Sequence, residues 1–241
     1  MVNYQQLKNI FFEKVYPGKS HYSLYRSIFF WMFDAAKFIQ EKSDAQVLNI
    51  YSTHDKSSER EDVYKKYFFP DAFYQELNFS QDAFVDENNK SYPNHQIPFL
   101  DNQFEMVLTT KVILEHVSNP PKFLSECYRI LKSGGQAFFI APLVRRQHQV
   151  PFDFFRFTQF GLEHMLKRAG FKIKYIKPTN GAITTAAFMS TFFVSGLSLP
   201  WFIKKIFFVF LKFIIDPLAN WLDYYDKDKN IPIYFVIRVE K

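Results

Sequence analysis

Short apolar runs alternate along this chain with segments whose apolar positions recur at helical spacing. Residues 22–42, "YSLYRSIFFWMFDAAKFIQEK", predict an amphipathic helix. "AQVLNIYS" follows as a short buried strand, and Ser58 and Glu61 stand at capping-box spacing to open a helix through "DVYKKYFF". "DAFYQELNF" predicts a second strand, "DENNKSYPN" a polar loop, and "NQFEMVLTT" a third strand. "VSNPPKFLSECYRILKS" predicts a helix with prolines near its start, and "GGQAFFIAPL" a strand after a glycine turn. A helix from Thr158 to a stop at Gly170 comes next, and "KIKYIKP" and "IPIYFVIRVEK" complete the strands. Strands alternating with helices predict an α/β domain with a largely parallel sheet.

Composition narrows the partners. The net charge of +6 suits an anionic surface, either lipid headgroups or nucleic acid. Aromatic residues make up 20% of the chain, and nine of its 31 Phe lie in residues 182–241. They stand in apolar runs and are not interleaved with a basic patch, so nucleic acid is not the expected partner. One cysteine, Cys127 in a helix's apolar pattern, excludes a disulfide framework and points to a reducing, cytoplasmic setting. The first residues lack a basic stretch followed by an apolar core, so no signal peptide is expected.

Residues 182–222 form the most unusual tract. From Pro178 to Ile203 no residue is charged, and then come Lys204, Lys205 and "IFFVFLKFII". If the strands on either side pair in one sheet, a single membrane crossing is impossible. The tract is then expected to lie as a helical hairpin or in-plane helices on an anionic membrane. Trp201, Phe202, Phe207, Phe208 and Phe210 would enter the interface, with Lys204 and Lys205 at headgroup depth. That would place the protein peripherally on the inner face of the membrane. The alternative is a hydrophobic lid or a homodimer interface.

"IPFLDNQFEMVL", "LEHV" and "YRILKSGG", followed by "DFFRFT" and "LKRAGF", resemble the class I S-adenosylmethionine-dependent methyltransferases of the small-molecule, lipid and glycan branch. The resemblance spans about residues 45–178 plus the last strand. It implies a Rossmann-like sheet, mostly parallel, with an antiparallel last strand and a hydrophobic helical insertion before it. The organisation it implies is an N-terminal helical segment (1–44), a methyltransferase-like domain (45–179 and 231–241) and the insertion (180–230).

The resemblance implies S-adenosylmethionine as cofactor, held at Asn49, Tyr51, Thr53, Asp55, Asn78 and Thr109. The loop after the first strand lacks the family's glycines, and Asn78 stands where an acid usually takes the ribose hydroxyls. Losing one charged acceptor costs about 1–3 kcal/mol. Either the loop has been rebuilt, with Asp55 or Glu59 as the acid, or the domain persists as a non-catalytic scaffold that binds a membrane partner.

Methyl transfer needs an aligned nucleophile and sometimes a base. Glu115, His116 and His148 are the candidates, while "LEH" alternatively opens a helix with Glu115 on its amides. Arg145 and Arg146 suit an anionic substrate or headgroup, whereas Asp153 and Arg156 are expected to pair and fix their loop. No metal-ligand spacing stands out, so no metal is expected. The implied activity is O-methylation of a lipid-linked or envelope-glycan precursor.

Overall fold

Successive side chains of a strand point to opposite faces, so a strand apolar at nearly every position must be covered on both sides. The computed structural model describes residues 3–16, 22–52, 63–80, 83–85, 91–93, 96–110 and 113–241. Within them one sheet contains β1 (Gln46–Ser52), β2 (Phe73–Ser80), β3 (Ala83–Val85), β4 (Ser91–Pro93), β5 (Phe104–Leu108), β6 (Leu131–Pro142), β7 (Lys172–Pro178) and β8 (Tyr234–Glu240). Its order is β4-β3-β2-β1-β5-β6-β8-β7. The strands β2, β1, β5 and β6 are parallel, while β8 is antiparallel to both β6 and β7.

The helices are α1 (Tyr4–Ile10), α2 (Tyr22–Gln40), α3 (Pro120–Ile130), α4 (Gln159–Arg168), α5 (Ala182–Gly196), α6 (Trp201–Phe210) and α7 (Asp216–Leu222). Val47, Met106, Phe138 and Val236 face α1, α2 and the π-helical turn Phe11–Val15. Leu48, Val107, Phe139 and Ile237 face α3 and α4. The N-terminal helices therefore form one wall of the core. Trp31 of α2, buried, donates to the Ile237 carbonyl at 3.0 Å and ties that wall to β8.

Local chemistry sets the boundaries. Asn119 caps α3 through the Lys122 amide, with Pro120 in its first turn. The helix stops at Ile130, short of the expected end, because Leu131 already pairs with Phe104 of β5. Thr158 caps α4 on the Gly161 amide at 3.1 Å. After α4, Gly170 has φ +99°, and a Cβ there would stand 3.0 Å from the Tyr128 ring. Cys127 is fully buried, as its apolar spacing suggests.

Two expectations change. Ser91–Pro93, read as polar loop, is a strand pairing antiparallel with β3, with Phe84 opposite Tyr92. A three-residue edge strand carries no usable alternation, and proline is tolerated at an edge. The helix start at Ser58–Glu61 lies outside the described residues, and its continuation, Tyr64–Phe68, is a π-helical turn.

The insertion is anchored by carboxylates from its far end. Asp223, buried just after α7, accepts from the Gly181 amide at 2.7 Å, the Ile183 amide at 3.1 Å and the Thr184 amide at 3.2 Å. Asp226 accepts from the Ala182 amide at 2.8 Å. These are the free amides at the start of α5, so the chain closes the insertion by capping its first helix with its last turn. A Cβ on Gly181 would lie 2.6 Å from Asp223 Oδ1, so glycine is needed for the close approach. Asn180 adds a link, accepting from the Ile233 amide at 3.1 Å at the entrance to β8. Replacing Asp223 by Ala is expected to lower stability by about 2–3 kcal/mol, since buried amides lose a charged acceptor. Urea denaturation, with hydrogen exchange on the α5 amides, reads this; a loss below about 0.5 kcal/mol would contradict the capping role.

Candidate active site

Four parallel strands end at one edge of the sheet, and the polar side chains gathered there come from the strand ends and the turns and loops beyond them. After β1 the chain enters residues 53–62, so Thr53, His54, Asp55 and Glu59 lie outside the described residues. Tyr51, half-buried near the end of β1, stands opposite Asn78 of β2. Asn78 Oδ1 is buried with no hydrogen-bond partner among the described residues, and so is Thr109 Oγ1, one residue beyond β5. The Thr109 amide is held by the Phe138 carbonyl at 3.0 Å. Asn49 is fully buried and accepts from the Thr110 amide at 3.2 Å and the Thr110 hydroxyl at 3.1 Å. It braces the turn after β5, a role that its position in the first strand did not suggest.

Beyond that turn, Leu114–His116 form a single 3-10 turn that points Glu115 and His116 inward. The Glu115 carbonyl accepts from the Phe154 amide at 2.8 Å, fastening the turn to the loop after β6. Both Glu115 carboxylate oxygens are buried without a hydrogen-bond partner among the described residues. The alternative in which Glu115 caps helix amides therefore does not hold, because α3 starts later and carries its own cap at Asn119. Burial pushes the Glu115 carboxyl up to about 8, despite the positive charges of Arg156 and Arg145. Burial likewise holds the His116 imidazole down at about 4.

The loop after β6 brings His148 to the same place. Its ring meets that of His116 edge-to-face, with centroids 4.7 Å apart. Burial lowers its pKa, with the Arg145 charge acting in the same direction. Asp153 fixes the loop, as its pairing with Arg156 was expected to do. The two meet at 2.6 and 2.9 Å through a two-pronged contact, and Asp153 also accepts from the His148 amide at 2.9 Å. Burial alone would raise the Asp153 carboxyl, but Arg156 and the His148 amide outweigh it and hold it at about 2. Arg156 also donates to the Arg145 and Arg146 carbonyls.

Arg145 donates to the Tyr234 hydroxyl and lies over its ring, so it is partly engaged within the fold. Arg146 is exposed, with its guanidinium 4.6 Å from the centre of the Phe192 ring of α5. The loop thus touches the insertion. Glu115, His116 and His148 each offer a ligand atom, all within 4.8 Å of one another. Spacing along the chain shows no such set, because two members are adjacent and the third sits on the next loop.

Comparison with known proteins places this geometry. Residues 69–139 match the family model described as a methyltransferase domain. No curated protein matches the chain. Among solved structures, the [4+2]-cyclase SpnF superposes with a TM-score of 0.52 at 14% identity, covering 87% of this chain and 80% of that one. A SAM-dependent methyltransferase from Aquifex aeolicus gives 0.41 at 14% identity, over 74% and 93% of the two chains. A Haemonchus contortus phosphoethanolamine N-methyltransferase, in complex with phosphomonomethylethanolamine and S-adenosylhomocysteine, gives 0.46 at 12%, over 100% and 60%. A cyclase shares the architecture, so the fold alone does not fix the reaction. With its matched methyltransferase segment and a parallel sheet closed by an antiparallel β8, the chain carries the class I S-adenosylmethionine-dependent methyltransferase fold.

Proposed function

We propose that the protein binds S-adenosylmethionine at the carboxyl edge of its sheet and methylates an oxygen of a lipid-linked or envelope-precursor acceptor at a membrane surface. The observation that carries the cofactor half is the pair of buried acceptors without partners, Asn78 Oδ1 and Thr109 Oγ1, beside Tyr51. A buried polar atom left unpaired costs about 1–3 kcal/mol, and a ligand hydroxyl or amine removes that cost. The residues fit the cofactor in this sense: Asn78 would accept from a ribose hydroxyl, and Thr109 would face the ligand from the next strand.

Bound, the cofactor supplies a methyl group on a positively charged sulfur. The chain's own part is to orient the acceptor and exclude water. The loop carrying the partly exposed His148 would meet an acceptor hydroxyl, with the buried Glu115 and His116 of the turn Leu114–His116 behind it. Arg146, exposed between this loop and α5, suits an anionic group on the acceptor.

The membrane half rests on the insertion. Among the described residues no helix is long and apolar enough to cross a membrane. No residue of α6 is buried. Trp201 is 73% exposed, Ile206 68% and, on the following π-helical turn, Phe213 64%. Trp201, Lys204, Lys205, Phe208 and Lys212 share one side of this helical run. Phe202, Ile206, Val209 and Phe213 share another, because their spacings of three and four keep them on one face. Such a helix suits the plane of an anionic leaflet, with the apolar face in the acyl boundary and the lysines at headgroup level. Val150 and Phe154 of the acceptor loop are exposed as well. The cytoplasmic leaflet suits the positive charge and would bring a lipid-borne acceptor to the site.

Two outcomes are expected. Asn78→Asp, which restores a two-oxygen acceptor, should tighten S-adenosylmethionine binding by roughly tenfold, and Asn78→Ala should weaken it by a similar factor. Equilibrium dialysis checks both, and equal affinity across the three proteins would remove Asn78 from the site. Separately, the full chain should float with vesicles containing phosphatidylglycerol. Lys204→Glu/Lys205→Glu/Lys212→Glu should stay in the soluble fraction. A wild-type protein that does not float and elutes as a dimer would assign the apolar face to a second copy.

A further inference from the structure

The partner of one imidazole nitrogen decides which nitrogen keeps a lone pair. His116 Nδ1 lies 2.5 Å from the Phe152 carbonyl oxygen. A carbonyl only accepts, so Nδ1 carries the proton and Nε2 keeps the lone pair. His148 Nδ1 faces two acceptors, the Arg146 carbonyl at 3.3 Å and Asp153 Oδ2 at 3.4 Å, which selects the same tautomer. Both Nε2 atoms then converge on Glu115 Oε1, at 3.7 Å from His116 and 3.8 Å from His148. These separations exceed hydrogen-bond range, so neither pair shares a proton directly. Glu115 Oε1 and His116 Nε2 are buried and unpartnered among the described residues.

We propose that Glu115, His116 and His148 bind one divalent first-row transition-metal ion through Oε1 and the two Nε2 atoms. Ligands about 2.0–2.1 Å from such an ion stand roughly 3.4 Å apart in a tetrahedral arrangement. The two separations from Glu115 Oε1, 3.7 and 3.8 Å, need a contraction of a few tenths of an ångström, and the ligand atoms of all three residues already lie within 4.8 Å of one another. Two imidazoles and one carboxylate suit zinc, cobalt, iron or manganese better than magnesium or calcium, which take all-oxygen sets.

The surroundings are those of a prepared site. A ligating histidine commonly gives its other ring proton to a carbonyl or carboxylate, which fixes its orientation. Phe152 offers the carbonyl to His116 and Arg146 the carbonyl to His148, with the Asp153 carboxylate 3.4 Å away. The nearby cations are engaged elsewhere: Arg156 is paired with Asp153, and Arg145 donates to Tyr234. Glu115 and His116 are closed off, but the His148 side chain is 22% exposed, which gives an ion a way in. Three protein ligands leave a position for an oxygen, whose proton a bound cation makes more acidic. That role in methyl transfer rests on the function proposed above; the binding of the ion does not.

The test uses the full chain, stripped with chelator and dialysed, with cobalt(II) added alone and followed by visible absorption and calorimetry. The expected result is one equivalent bound, with d–d bands that disappear when zinc is added. His148→Ala and the near-isosteric Glu115→Gln should each weaken binding by at least roughly tenfold to hundredfold. If Glu115→Gln does not fold, His148→Ala decides by itself, since its ring sits on a partly exposed loop. Absence of bands and heat up to millimolar cobalt, from a folded protein, would overturn the proposal. So would variants that bind as tightly as wild type, because the ion would then be held elsewhere. No S-adenosylmethionine is present, so this result and the fate of the cofactor site can be told apart.

Discussion

The burial of both faces of the sheet is the constraint on which the rest of the molecule depends. With α1 and α2 over one face and α3 and α4 over the other, the central side chains of β1, β5 and β6, such as Leu48, Val107 and Phe139, are fully buried. Where the parallel strands stop, the sheet edge gathers Asn78, Thr109, Glu115 and His148. Residues on that edge are fixed by hydrogen bonds to the core: Asn49 braces Thr110, and Asp153 holds both His148 and Arg156.

The insertion shows the opposite economy of surface. It is secured at its base by Asp223, Asp226 and Asn180, all close to the entrance of β8, and beyond that base α6 buries none of its residues. An anchored apolar helix with no buried residue presents the surface on which the proposed membrane contact rests. Arg146 over Phe192 joins α5, at the start of the insertion, to the loop bearing His148.

The sheet was legible because its strands are buried on both faces and read as apolar runs, and because Asn119, Thr158 and Gly170 bound helices by local rules that need no tertiary knowledge. The pairing of Asp153 with Arg156 was legible too, since three residues separate the two. What stayed hidden depends on distance along the chain. Asp223 caps a helix that starts some forty residues before it, and no sequence window holds both. The convergence of His148 on Glu115 is set by the fold bringing two loops to one edge. The strand Ser91–Pro93 was missed because it is too short to show a period.

The carboxyl edge of the sheet is proposed to take the cofactor although the loop after β1 contains no glycine. Calorimetric titration of the purified wild-type chain with S-adenosylmethionine and its demethylated product tests it most directly. Saturable heat for one site per chain in the micromolar to submillimolar range is the expected result. No heat from a demonstrably folded protein up to millimolar ligand would contradict it, and the fold would then serve as a scaffold whose partner lies at the apolar helix.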